Sequence, residues 1–290
     1  MAVRQSRSAA TQVTRHEDAR PIVSDSAHGA EASTDHRWTR TDRRARAIAW
    51  RRETHALVCD TLEPFGYGTV LRCAAHPGFW AFNALRVEGP RPELTVEALV
   101  AEAERALGDL THRRVDVADA TTGERLRPGF DALGWATERL VWLSLADPPP
   151  GPEAEVVPVA ATRALRLEWA RADHAWPLGP GELERQADAE EDVLARLGGR
   201  AVIARDAAGE PIGFATFTAR GGTAEVEAAY LTRAHRGRGI GGALVAAAAR
   251  AAGAEETLIL ADDEGDAKRL YMRLGFEPVW IEHVFTRKPG

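Results

Sequence analysis

The chain has 290 residues, 44% hydrophobic and 28% charged, with a net charge of −6, so it is an ordinary globular protein of two domains or one large one. The acidic balance argues against a general nucleic-acid binder, which would present a basic face, and no apolar run reaches the roughly 18 residues needed to span a membrane. The two cysteines, Cys59 and Cys73, match neither a metal spacing nor a disulfide framework, so no metal is expected and the expected compartment is a reducing cytoplasm.

Residues 1–41 are rich in Ser, Ala, Arg, Thr, Asp and His without apolar periodicity, which reads as a disordered tail or as an over-long start to the chain. Residues 42–146 form a first domain, in which WAFNALRVEG (80–89) is expected to be a strand. The run Asp147-Pro-Pro-Pro-Gly-Pro152 is a linker over 147–153, because consecutive prolines donate no backbone hydrogen bonds and favour a stiff extended spacer.

Residues 154–290 form a second domain. Strand 154–159 is followed by amphipathic helices over 161–172 and 181–197. Strands 200–206, 211–219 and 224–231 come next, the last two joined by Gly221-Gly222. A helix over 239–252, the apolar strand 256–261, a helix near 264–274 and a strand over 279–285 complete the order β-α-α-β-β-β-α-β-α-β.

The stretch HRGRGIGGALVAAAARAAG (235–253) satisfies two phosphate-binding patterns. Gly237, Gly239 and Gly242 fit G-x-G-x-x-G, the dinucleotide fingerprint, with Asp262 and Asp263 where a ribose-binding acid would stand. Arg236, Gly239 and Gly241 fit R-x-x-G-x-G. The order of elements decides against the dinucleotide. The strand before the glycines carries Glu225 and Glu227, five residues intervene between Leu231 and Gly237, and only one further βα unit follows.

YLTRAHRGRGIGGAL, followed by ETLILADDEGDAKRLYMRLGFEPVWIEH, resembles the GNAT acetyltransferase superfamily over roughly residues 154–287. The resemblance rests on two motifs in the right order: R-x-x-G-x-G opening a helix, and Ala267, Leu270-Tyr271 and Leu274-Gly275-Phe276 downstream. It implies an α/β (α+β) fold of mixed sheets with flanking helices. It also implies acetyl-CoA as co-substrate, held by Leu231, Thr232, Arg233, Arg236, Gly237, Arg238, Gly239, Ile240, Gly241 and Gly242. A helix N-terminus with glycines suits this physically, since it offers unpaired N–H groups, a positive dipole end and close backbone approach. The resemblance further implies that Tyr271 protonates the departing thiolate, and that the N–H groups of Leu231 and Arg233 polarise the acetyl carbonyl. Where the family often has an asparagine contacting the cofactor, this chain has Glu264.

A base must take a proton from the acceptor amine. Glu225 and Glu227 lead into the acetyl site, and simple alternation puts both on one face with Leu231; Glu227 is nearer the acetyl position. Asp173 and Trp176, between the two first helices, are candidates for pairing with and stacking on the acceptor.

The first domain reads as a faded copy of the second. Phe130 falls on Tyr271 and Leu133-Gly134-Trp135 on Leu274-Gly275-Phe276. Ala98-Leu99-Val100 falls on Ala243-Leu244-Val245 and Arg91 on Arg236, while Leu94 and Val96 replace loop glycines. The chain is therefore expected to be a tandem GNAT protein with a truncated, degenerate first copy. Its expected activity is direct acetyl transfer to a primary amine of a small molecule, as a monomer or homodimer, without nucleic acid or membrane as partner. The alternatives are a non-catalytic acyl-CoA-binding regulator, a transferase for a longer acyl group, and a transferase acting on a protein amine.

Overall fold

The computed structural model describes residues 39–173 and 181–288. Before the proline-rich segment lie α1 (Arg40–Val58), β1 (Thr61–Phe65), β2 (Gly68–Arg72), β3 (Ala84–Val87), α2 (Val96–Leu107), β4 (Arg113–Val117), α3 (Ala120–Ala132) and β5 (Ala136–Leu145). After it lie β6 (Glu155–Pro158), α4 (Arg163–Asp173), α5 (Glu182–Arg196), β7 (Arg200–Arg205), β8 (Pro211–Arg220) and β9 (Thr223–Leu231). The chain ends with α6 (Ile240–Ala252), β10 (Glu256–Asp262), α7 (Asp266–Arg273) and β11 (Glu277–Arg287).

The second half follows the order expected from sequence. In the first half, α1, β1 and β2 have no counterpart among the expected elements, and the strand expected over 80–89 is extended only at Ala84–Val87. Trp80–Phe82 form a 3-10 turn that buries Trp80 and Phe82 instead. The expected tail lies outside the described residues as far as residue 38. Residues 40 and 41 already belong to α1, which Thr39 opens with a capping box to Asp42.

The eleven strands among the described residues form one sheet, in the order β1-β2-β3-β4-β11-β5-β10-β9-β8-β7-β6. The two halves exchange their last strands. β11 enters between β4 and β5, while β5 enters between β11 and β10. Side chains follow the pairing. Val141 and Leu143 of β5 join Val226, Ile259, Tyr271 and Phe276 in the core beneath α6. Leu140 and Trp142 turn to the other face, with Ala47 and Trp50 of α1 and with Leu258 and Leu260. In return, Phe285 of β11 enters the core beneath α2 and stacks on Phe130, ring centroids 4.2 Å apart.

The repeat is visible in the backbone. Helix α3 ends with Trp135 N–H donating to Phe130 O at 3.0 Å across Gly134, and α7 ends with Phe276 N–H donating to Tyr271 O at 3.1 Å across Gly275. The two glycines have φ of 73° and 96°. This is the same six-residue helix end in both copies.

Candidate active site

The site opens where two strands part. β9 and β10 run parallel and stay paired from Thr223↔Glu256 to Val226↔Ile259. Beyond that point β9 continues to Leu231 and β10 to Asp262 without a shared ladder. On its other edge β9 remains tied to β8, with Thr232 N–H donating to Ile212 O at 2.9 Å. Antiparallel alternation therefore turns the N–H groups of Ala229 and Leu231 toward the slit.

A glycine turn stands at the mouth of this slit. Gly237 and Gly239 have φ of 79° and 78°, a region costly for any residue with a Cβ. Gly239 is the N-cap of α6, and no side chain caps the helix. The N–H groups of Ile240, Gly241 and Gly242 thus lack intrahelical partners at the positive end of the dipole. Nothing lies within 4 Å of where a Cβ on Gly237 or Gly239 would stand. Arg238 is exposed beside the turn. Arg236 folds back instead, its Nε donating to Leu231 O at 3.0 Å and its guanidinium 5.8 Å over the Tyr230 ring. Thr232, Arg233 and His235 form the intervening turn, closed by a 2.8 Å contact between Thr232 Oγ1 and His235 Nδ1.

Tyr271 projects from α7 into the core shared with α6 and Ala261. It is 4% exposed, and burial alone pushes its phenol up to about 12. Glu264 points away from the slit: Arg127 Nη1 of α3 donates to its Oε1 at 3.4 Å.

Alternation fails in β9 and changes the placement of the carboxylates. The β8–β9 register runs Phe217↔Val226 and then Thr216↔Ala228, leaving Glu227 in a bulge. Val226, Ala229 and Leu231 face α6, whereas Ala228 and Tyr230 face α4. Glu225 and Glu227 therefore do not share a face with Leu231, as simple alternation predicts, because the extra residue switches the parity. Glu227 is half-buried and accepts from Thr218 Oγ1 at 3.1 Å. Glu225 is 1% exposed and accepts from Trp50 Nε1 at 2.6 Å.

The wall toward the expected acceptor segment is aromatic. Trp169 of α4 stacks on Tyr230 at 5.7 Å, and Tyr230 Oη donates to Glu168 Oε1 at 3.0 Å. Burial first, and Glu168 second, push the Tyr230 phenol up to about 12. Asp173 closes α4, and Trp176 lies outside the described residues. Thr218, Arg220, Glu168 and Trp50 join the site beyond the residues expected from sequence. Alternation from Phe214 along β8 would have placed Thr218 and Arg220 on this face, but no sequence signal brings Trp50 here.

The first copy lacks both features. β3 and β4 stay paired from Leu85↔Val115 to Val87↔Val117, and Ala118 N–H donates to Val87 O at 3.1 Å, so no slit opens. Helix α2 is capped by Thr95, whose hydroxyl accepts from Ala98 N–H at 3.3 Å. Leu94, fully buried, fills the place of a loop glycine.

Residues 198–278 match the family model described as the acetyltransferase (GNAT) domain. The chain carries a GNAT acetyltransferase domain. A GCN5-related N-acetyltransferase from Kribbella flavida superposes with a TM-score of 0.54 at 20% identity, over 84% of this chain and 95% of that one. A conserved protein of unknown function from Staphylococcus epidermidis ATCC 12228 superposes with a TM-score of 0.64 at 14% identity, over 81% and 96%. At these identities the likeness establishes the fold, and it extends well beyond the GNAT domain. No curated protein matches the chain significantly. Among the described residues no group of three or more His, Cys, Asp or Glu is placed to hold a metal ion, and no helix is long and apolar enough to cross a membrane.

Proposed function

We propose that the protein transfers acetyl from acetyl-CoA directly to the primary amine of a small molecule. The observation that carries this reading is the parting of β9 from β10 after Val226 and Ile259, in front of an uncapped glycine turn. The residues fit the co-substrate. The turn from Arg236 to Gly242 offers backbone donors to a pyrophosphate, and Leu231, Thr232 and Arg233 line the exit of the open strand. When bound, acetyl-CoA supplies an activated thioester.

The chain's own groups do the rest. Leu231 N–H, turned into the slit, donates to the carbonyl oxygen of the acetyl group as charge develops there. Glu227, half-exposed in the bulge, takes a proton from the acceptor ammonium and so frees the amine lone pair that attacks the acetyl carbon. Tyr271, kept neutral by burial, holds a proton to give to the departing sulfur. Glu168, Trp169 and Tyr230 form a wall suited to a cationic amine on a carbon skeleton, and Asp173 and Trp176 keep the acceptor role expected of them from sequence. The same reading divides the chain into a structural first half over 42–146, a linker over 147–153 and a catalytic half over 154–290.

The test is calorimetric titration of acetyl-CoA into the full chain, with NAD and succinyl-CoA as controls, followed by CoA release in the presence of amines. One acetyl-CoA site per chain with amine-dependent release supports the reading. Binding of NAD but not acetyl-CoA overturns it.

A further inference from the structure

Trp50 belongs to the first half, yet it reaches the catalytic strand of the second. Its Nε1 donates to Glu225 Oε2 at 2.6 Å, and the two side chains are 2% and 1% exposed. Arg220, at the end of β8, completes the arrangement. Its guanidinium lies 3.5 Å over the Trp50 ring, and its Nη2 donates to Trp50 O at 3.0 Å and to Thr54 Oγ1 at 2.6 Å. Arg220 also brings positive charge close to both Glu225 and Glu227.

The position of Glu225 gives this contact its meaning. Glu225 is paired with Leu258 of β10 and Thr218 of β8, at the closed end of the slit. One residue later the ladder to β10 ends, and the next residue is Glu227 in the bulge. A strand that has left one neighbour and bulges against the other has two ways to shift. A buried, short hydrogen bond immediately upstream supplies a fixed point.

We propose that Trp50 is a positioning residue for acetyl transfer: it anchors Glu225 at the root of the slit, so that the bulge presents Glu227 to the acceptor. This rests on the acetyltransferase reading above and deepens it. It makes Glu225 an anchor rather than a proton acceptor, and it makes the first half a working part of the active site.

Trp50→Phe keeps a ring beneath Arg220 and removes the indole donor. The full chain and its variants are assayed for CoA release from acetyl-CoA with ethanolamine, 2-phenylethylamine and spermidine, alongside melting curves and acetyl-CoA calorimetry. Trp50→Phe is expected to melt cooperatively and bind acetyl-CoA within about threefold of wild type, while kcat falls roughly ten- to a hundredfold with little change in KM for acetyl-CoA. Glu225→Gln keeps an oxygen that accepts from Nε1 and should lose markedly less activity than Glu227→Gln, which should lose on the order of a hundredfold. The carboxamide pair decides the matter even where Trp50→Phe folds poorly. Wild-type kcat in Trp50→Phe, or equal losses in the two carboxamide variants, overturns the anchor alone. A wild-type protein that binds acetyl-CoA and transfers to none of the three amines overturns the transferase reading, and the anchor with it.

Discussion

Thr95 and Gly239 are the N-caps of the corresponding helices α2 and α6. The Thr95 hydroxyl accepts from Ala98 N–H at 3.3 Å, while Gly239 offers no side chain. One helix end satisfies itself and the other is left without a side-chain cap. Gly239→Glu should therefore weaken acetyl-CoA binding by a hundredfold or more. The strained φ costs about 1 kcal/mol, and a carboxylate then sits where phosphate should bind. Calorimetry reads the loss, and an unchanged Kd would refute the turn assignment.

The converse substitution should fail. Leu94→Gly with Val96→Gly removes the side chains at the first copy's turn, but β3 and β4 remain zipped by Ala118 N–H on Val87 O. The expected stoichiometry stays at one acetyl-CoA per chain. A second site would mean that the turn alone suffices.

Tyr271→Phe should separate binding from chemistry, with acetyl-CoA affinity retained and kcat lowered on the order of a hundredfold. It should also change alkaline stability. The folded phenol ionises near 12, whereas an unfolded one ionises near 10. The stabilisation from keeping Tyr271 neutral is fully present below pH 10 and is lost as the pH rises toward 12, in total about 3 kcal/mol. Denaturant midpoints from pH 9 to 12 should fall more steeply in wild type than in Tyr271→Phe.

The strand exchange predicts that residues 150–290 alone will not fold. Without β5, β10 loses its partner from Thr257 to Asp262, and β11 loses both neighbours. The core around Tyr271 also loses Val141 and Leu143. Circular dichroism of the isolated half should lack a cooperative transition, and adding the separate first half should restore one.

Gly123→Ala probes the same exchange from the other side. A Cβ there would stand 2.2 Å from His283 Nδ1, which sits on the strand contributed by the second half. The clash is expected to destabilise by about 2 kcal/mol, outweighing the usual helix gain of alanine over glycine. The urea midpoint measures it.

Much of the second half was legible in the sequence, because glycines, apolar periodicity and charged turns mark each element locally. Pairing partners were not. β5 and β11 end the two copies with similar apolar patterns, and nothing local says which neighbour each will join. The bulge at Glu227 was hidden for a related reason. EVEAAY contains no glycine, and the extra residue is expressed only against β8. The sequence placed Glu225 and Glu227 in one site, and only the fold gave them different surroundings, one under Trp50 and the other against Thr218. The N-terminal boundary expected at residue 42 lies two residues inside α1, whose start is marked in the sequence by Thr39-x-x-Asp42, a capping box.

The exchanged strands bear on how such a chain can diverge. A chain half as long would complete this sheet only by pairing with an identical second copy, and such an assembly carries two open slits or none. Joining both halves in one chain, through a proline-rich segment held by Arg250 at the carbonyls of Pro149 and Pro152, removes that symmetry requirement. One copy is then free to close its slit and seal its helix while still lending a strand to the other. The asymmetry between Thr95 and Gly239 is the mark that such freedom leaves.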